Sequence, residues 1–166
     1  MIFGMSLATY ALVHVIISLA GIFSGVVVLF GLLSGKRMNR TTAIFLITTV
    51  ATSITGFGFP FHGFGPPHYV GMISLVVLTI AIAARYGFHI AGAWRKVYVI
   101  TAMVALYFNC FVGVVQAFQK VPALAAIAPH QSEPPFVVAQ LVVLMVFVVL
   151  TLLATSRFRG EPLPAA

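Results

Sequence analysis

Residues 7–40 read LATYALVHVIISLAGIFSGVVVLFGLLSGKRMNR. The part from 7 to 33 contains no charged side chain, and about 20 consecutive apolar residues are enough for a helix to cross the hydrocarbon core of a bilayer. Three basic residues, Lys36, Arg37 and Arg40, follow directly. Because short cytoplasmic loops are rich in Lys and Arg, this segment predicts a membrane-spanning helix whose carboxyl end faces the cytoplasm.

Four more apolar stretches follow the first, at about 41–61, 69–86, 97–118 and 136–155. None alternates apolar and polar residues with the period of two that a barrel strand requires. Charged residues make up 7% of the chain and hydrophobic residues 61%, whereas soluble domains carry about a quarter charged residues. The sequence therefore predicts an all-α integral membrane protein, a single domain over residues 1–166 built as a bundle of five transmembrane helices.

The basic residues predict how this bundle is oriented. Eight of the nine lie in or at the edge of alternate gaps between the apolar stretches, or after the last stretch, and Lys120 is the exception. The eight are Lys36, Arg37 and Arg40 at the first gap, Arg85, Arg95 and Lys96 at the third, and Arg157 and Arg159 after the last stretch. This pattern predicts an amino terminus outside and a carboxyl terminus in the cytoplasm. The first apolar stretch is far longer than a signal-peptide core and no basic residue precedes it, so we expect it to remain as a span. Compact loops favour a bacterial inner membrane.

Several classes of function are disfavoured by composition and motif. The formal net charge of +7 is spread over three short loops, without the contiguous basic patch that nucleic acid requires. The single cysteine, Cys110, permits no intramolecular disulfide and no cysteine-based zinc motif. No phosphate-binding GxxxxGK[ST] loop and no Ser/His/Asp arrangement at catalytic spacing occurs. The sequence leans against an enzyme.

Small residues indicate which helix faces lie inward, and on the fourth stretch Asn109 and Gln116 share such a face with Gly113. Gly21 and Gly25 form a GxxxG pair in the first stretch, which allows close approach of a neighbouring helix and makes self-association plausible. On the predicted topology, polar side chains of four stretches fall in the outer half of the bilayer. These candidate ligand-binding residues are His14, Thr55, Asn109, Gln116 and Gln140.

These polar residues allow two interpretations. Their amide and imidazole groups suit a ligand carbonyl or a quinone headgroup beside the Phe-rich loop at residues 56–68, which reads GFGFPFHGFGPPH. Alternatively, the same side chains hydrogen-bond neighbouring helices and bind nothing else. An ionisable residue inside a span, such as His14, is a functional candidate by default.

Four histidines, His14, His62, His68 and His130, lie on the predicted outer side. Imidazole binds haem iron, copper and zinc, so haem b or a transition metal is one hypothesis for this group. Histidines in loops and at helix ends serve equally well as polar interface residues. His14 lies roughly two turns deeper than His68, which disfavours a haem held between these two residues.

Three functions remain open on the sequence alone. The first is a non-catalytic subunit or accessory component of a membrane complex, because short loops and the absence of acidic residues in the spans leave little apparatus for turnover. The second is a haem-, metal- or quinone-binding redox protein that uses the outer histidines. The third is a channel or transporter for a small neutral solute.

Overall fold

The computed structural model describes residues 4–60 and 65–159, and helices account for 82% of this part. The long helices are α1 (Leu7–Leu33), α2 (Asn39–Gly56), α3 (Pro66–Ile82), α4 (Trp94–Lys120) and α6 (Pro134–Arg157). A π-helical turn, Ala83–Gly87, continues α3, and the short α5 (Pro122–Ile127) follows α4. No strand occurs in the described ranges, so the all-α prediction is confirmed.

Helix ends follow local signals rather than hydropathy. Ser6 caps α1, since its hydroxyl accepts a hydrogen bond from the Thr9 N–H at 3.1 Å. Prolines occupy the first turn of α3 and of α6, where a missing N–H costs nothing. The predicted span 41–61 has the wrong ends, because α2 runs from Asn39 to Gly56 and its apolar composition continues into the following loop.

The long helices alternate in direction. Along α1 and α2, Gly31 faces Met38 at one end, Gly25 faces Phe45, and Tyr10 reaches Thr55 at the other. The same antiparallel order relates α2 to α3, where Ser53 bonds Ser74 and Asn39 bonds Arg85. It also relates α4 to α6, where the facing pairs run from Arg95 with Thr155 to Phe118 with Phe136.

This alternation gathers the basic side chains at one end of the bundle, called here the basic end. The α1–α2 turn, the π-helical turn, the start of α4 and the end of α6 all lie there. Contacts between them include Gly35 against the Arg157 carbonyl and Arg95 against the last turn of α6. Lys120 lies at the opposite end, here the outer end, beside α5.

Four helices of the described part are long and apolar enough to cross a membrane: α1, α3 with its π-helical turn, α4 and α6. These four bear out the membrane prediction. The helix α2 is not among them. It is rich in Thr and Ser and begins with Asn39 and Arg40, which lowers its hydropathy below that of the others.

The GxxxG pair packs within the chain. A Cβ at Gly25 would come 2.5 Å from Leu106 Cδ1 in α4 and 2.9 Å from the Phe45 ring in α2. Gly21 lies against Thr48 and Thr49 of α2 and against α4. Both glycines are buried. Within this chain, α2 and α4 cover the surface that the pair presents, and self-association through Gly21 and Gly25 stays a prediction.

Candidate functional site

The outer ends of α1 and α2 meet in a polar and aromatic cluster. The Tyr10 hydroxyl donates to the Thr55 carbonyl oxygen at 2.7 Å, and His14 Nδ1 lies 2.8 Å from Thr55 Oγ1. The Phe59 ring covers this pair edge-on, with centroid distances of 5.1 Å to Tyr10 and 5.2 Å to His14. We call Tyr10, His14, Thr55 and Phe59 the outer cluster.

Hydrogen bonding around Thr55 favours one tautomer of His14. The Thr55 hydroxyl has one proton and lies 2.7 Å from the Ala51 carbonyl oxygen. When it donates there, it accepts from His14, whose Nδ1 then carries the proton. A neutral imidazole has one N–H, so Nε2 keeps its lone pair. His14 thus cross-links α1 to α2 and retains one acceptor.

Asn109 makes the second cross-link, deeper in the bundle. Its side-chain nitrogen donates to Thr49 Oγ1 at 3.1 Å and joins α4 to α2. Gly21 of α1 closes the third side, since a Cβ there would come 3.3 Å from Asn109 Nδ2 and from Thr49 Oγ1. The amide is 8% exposed. This contact holds three helices together and leaves little space for a ligand.

Gln140 and Gln116 have different surroundings. Gln140 Nε2 donates to the Phe111 carbonyl oxygen at 3.2 Å, which joins α6 to α4. Its side-chain oxygen is buried and has no hydrogen-bond partner among the described residues. Gln116 lies exposed on α4, away from the inward face on which the sequence placed it. The five candidate binding residues therefore do not converge on one cavity.

The histidines are also dispersed. His68 lies in the first turn of α3, where its Nδ1 accepts the Gly65 N–H at 3.2 Å. Coordinating a metal through Nδ1 would break this cap. The backbone N–H of His130 donates to the Glu133 carboxylate, and His62 lies outside the described residues. Within residues 4–60 and 65–159, no group of three or more His, Cys, Asp or Glu could hold a metal ion.

The most unusual polar group lies at the basic end. Arg85, in the π-helical turn, is only 7% exposed. Its guanidinium donates to Asn39 Oδ1 at 2.7 Å and lies 5.1 Å from the centre of the Tyr98 ring. The sequence predicts that Arg85 belongs to a loop between two spans, together with Arg95 and Lys96. Its burial continues the inward face of α3, which carries the buried residues Leu78 and Ala81.

Arg95 fastens α6 to the start of α4. Its Nη1 donates to the Thr155 carbonyl oxygen at 3.0 Å and to the Phe158 carbonyl oxygen. The last carbonyls of a helix lack partners within the helix and carry partial negative charge. A guanidinium at this position therefore stabilises the end of α6 and is itself held in place.

Comparison with models of protein families, with curated proteins and with solved structures found no match to this chain.

Proposed function

We propose that this chain is a non-catalytic subunit or accessory component of a membrane complex. One observation carries the proposal: the candidate binding residues His14, Asn109 and Gln140 each form a hydrogen bond to a helix other than their own. Side chains used as cross-links hold a scaffold together. The geometry therefore favours a structural role over turnover.

The proposal includes five membrane crossings. The contacts of α2 with α1 extend from Gly31 to Tyr10, which is about 31 Å of helix at 1.5 Å per residue. The hydrocarbon core of a bilayer is about 30 Å thick. If α1 crosses the bilayer, α2 crosses beside it. Burial of Thr42, Thr49 and Ser53 against neighbouring helices explains how a less apolar helix is tolerated.

Orientation follows from the basic end. Eight of the nine basic residues lie there, and the positive-inside rule assigns that end to the cytoplasm. The amino terminus would then face outward and the carboxyl terminus inward, in a bacterial inner membrane. This topology is part of the proposal.

The helix α6 is the proposed contact surface for a partner. Only 6% of the most apolar 18-residue window of α6 is buried inside the protein, whereas 22–39% of the corresponding window is buried in the other three candidate spans. Met145 is 61% exposed in the middle of this helix. Lipid can cover such a surface, but a helix that the chain itself packs so little is well placed to meet a second membrane protein.

Photo-crosslinking in native membranes tests the accessory role. A photoreactive residue at Met145 is expected to give a discrete adduct with another membrane protein, which also co-purifies in mild detergent. The matched position is Phe23, which is 68% exposed on α1. A monodisperse chain with no adduct from Met145 beyond that seen from Phe23 would contradict the proposal.

A redox or ligand-binding role is the second candidate, because His14 retains one ring acceptor beside the Phe59 ring. An imidazole lone pair at this depth can accept from a quinol hydroxyl or bind a metal. The purified protein would show a haem spectrum, stoichiometric metal or bound quinone that His14→Ala removes. A sample without any of these would rule out the redox or ligand-binding role.

A channel for small neutral solutes stays a prediction, to be tested by flux into liposomes.

A further inference from the structure

A continuous groove runs between α4 and α6 on the surface of the bundle. Its inner part, near the basic end, has a volume of about 560 Å³ and is lined by Arg95, Lys96, Ile100, Thr155 and Ser156, among others. Its outer part, of about 230 Å³, is lined by apolar and aromatic side chains such as Met103, Val104, Tyr107, Leu144 and Phe147. Thr151 and Leu152 line both parts, so the two form one groove.

The inner part, called here the basic mouth, carries two positive charges and no negative charge from the described residues. Arg95 is held there by its bonds to the end of α6, both made by Nη1, and a guanidinium has five N–H donors in all. Lys96 is exposed beside it. The one acidic residue in the described ranges, Glu133, lies at the other end of α6, about 35 Å away along the helix.

The outer part suits a hydrocarbon chain. From Arg95 to Tyr107 the groove follows α4 for about 18 Å, toward the middle of the span. Its side chains there are Met, Val, Leu and aromatic residues, with the Tyr107 and Phe147 rings 5.7 Å apart. A basic site at one end and an apolar slot leading away from it match an amphiphile with an anionic head.

We propose that the groove between α4 and α6 binds one anionic phospholipid, with its phosphate at Arg95 and Lys96 and an acyl chain along Tyr107 and Phe147. Basic pockets between membrane helices recognise anionic headgroups in this way. The Thr155 and Ser156 hydroxyls at the mouth donate their protons to the Thr151 and Leu153 carbonyl oxygens and keep oxygen lone pairs that can accept from a headgroup hydroxyl. On the proposed topology, which the inference extends, this lipid belongs to the cytoplasmic leaflet.

Lipid titration of the purified full-length chain, followed by native mass spectrometry in a neutral detergent, tests the proposal without reference to topology. The probes are phosphatidylglycerol and phosphatidylcholine with identical acyl chains. We expect phosphatidylglycerol to bind at least tenfold more tightly, since each basic residue near an anionic headgroup contributes about fivefold. Equal binding of the two lipids would overturn the proposal.

A pair of lysine variants locates the headgroup. Lys96→Ala is expected to weaken phosphatidylglycerol binding by about fivefold and to leave phosphatidylcholine binding unchanged. Lys36→Ala, an exposed lysine at the same end but outside the groove, is the matched control and should behave as the parent chain. Equal effects of the two substitutions would mean that binding reflects overall charge, and the site would be wrong.

A second pair locates the acyl chain. Val104→Trp fills the apolar slot and is expected to lower the affinity for both lipids at least fivefold, by about 1 kcal/mol of lost apolar contact. Val27→Trp, on the exposed face of α1, is the control. Unchanged binding by Val104→Trp would overturn the placement of the chain.

A variant of the chain's other acidic residue, Glu161, supplies a further test. Glu161→Gln is expected to leave the affinity for phosphatidylglycerol unchanged. A severalfold rise in affinity would show that Glu161 fills the mouth in the parent chain, and would overturn the proposed lipid site. Loss of the photo-crosslink at Met145, by contrast, would leave all these lipid measurements standing.

Discussion

At the scale of single residues, Asn109 shows how the interior of the bundle uses polarity. Its amide, at 8% exposure, spans the gap between α4 and α2 and packs against Gly21. Hydrogen bonds between membrane helices contribute about 0.6 kcal/mol on average, because the separated helices find other partners. Asn109 therefore fixes the rotation of three helices about their axes, in addition to its small contribution to the free energy of unfolding.

Asn109→Leu is expected to destabilise the bundle by about 1 kcal/mol, since it removes this bond and leaves the Thr49 hydroxyl without it. Reversible unfolding in mixed micelles measures the effect. Gln116→Leu is the matched control, because Gln116 lies exposed on the same helix, and it should leave stability unchanged. Equal stability of the two variants would mean that the cross-link contributes nothing.

Two glycines give a sharper comparison of packing. A Cβ at Gly25 would lie 2.5 Å from Leu106 and 2.9 Å from Phe45, and both side chains are about 1% exposed and have little room to move. A Cβ at Gly113 would find its nearest neighbour, Ile22, at 3.7 Å, which is ordinary contact. Gly25 therefore allows the close approach of α1, α2 and α4.

We expect Gly25→Ala to lower the free energy of unfolding by about 1–3 kcal/mol through overpacking. Gly113→Ala should be neutral or slightly stabilising, because alanine has the higher helix propensity. The same micelle unfolding assay compares the two. A Gly25→Ala chain as stable as Gly113→Ala would contradict the packing of α1 described here.

At the scale of helices and loops, the π-helical turn after α3 places a cation inside the protein. Arg85 in this turn donates to Asn39 at the start of α2, so the pair joins the beginning of α2 to the end of α3. A hydrogen bond to a charged donor contributes about 1.5–3 kcal/mol when it is buried, and less where solvent reaches it.

Asn39→Ala is expected to destabilise the protein by about 1 kcal/mol, since Asn39 is itself exposed and Arg85 keeps its ring contacts. Arg40→Ala, the next residue and also exposed, is the control. Thermal unfolding in detergent compares them. If both variants unfold with the parent chain, the Arg85–Asn39 bond has no structural role.

The Glu133 carboxylate is a pH-dependent cap on the loop before α6 rather than on the helix itself, because it accepts the N–H groups of His130 and Ser132. Desolvation raises the pKa of the Glu133 carboxyl, but the backbone N–H groups of Glu133, His130 and Ser132 and the His130 side chain together bring it below the ordinary value. A lowered pKa in the folded state means that the cap is complete above the ordinary value of 4.5. Its contribution is lost as the pH falls through the lowered pKa.

Hydrogen exchange in the loop before α6 measures this cap. Amide exchange at His130 and Ser132 is expected to gain an additional opening component below pH 4.5, after correction for intrinsic rates. Glu133→Gln should show no such pH dependence, because its amide does not titrate in this range. A pH profile shared by the parent chain and Glu133→Gln would refute the cap.

Much of this architecture could be predicted from sequence. The first apolar stretch matches α1 from Leu7 to Leu33, because a basic turn and Ser6 bound it. The end of α2 was missed since Phe57 and Phe59 extend the apolar run beyond the helix, and the Phe59 ring packs back onto the outer cluster. High hydropathy indicates residues that become buried, whether they lie in a helix or in a loop, so it does not mark where α2 ends.

The candidate site was less predictable, since the rotation of each helix decides which polar groups meet. His14 and Asn109 do face other helices, as the stripe of small residues on their helices indicates. Gln116, on the same predicted stripe as Asn109, lies exposed. Arg85 continues the buried face formed by Ser74, Leu78 and Ala81 at helical steps, but its charge gives no sign of burial in a hydropathy profile.

At the scale of the whole molecule, the alternating directions of the long helices explain why eight of the nine basic residues lie at one end of the bundle. Each of the three basic groups lies at a point where the antiparallel order brings the chain to the same end of the bundle. The proposed topology depends on α2 crossing the membrane beside α1. Without that crossing, the outer and basic ends would not lie on opposite sides.

Cysteine labelling on the two sides of α2 tests this claim most directly. In a Cys110→Ser background, Pro60→Cys is expected to react with a membrane-impermeant maleimide in intact cells, since residue 60 is exposed at the outer end. Lys36→Cys, exposed in the α1–α2 turn, should react only after the membrane is permeabilised. If both positions react under the same condition, α2 does not cross the membrane and the five-span topology is wrong.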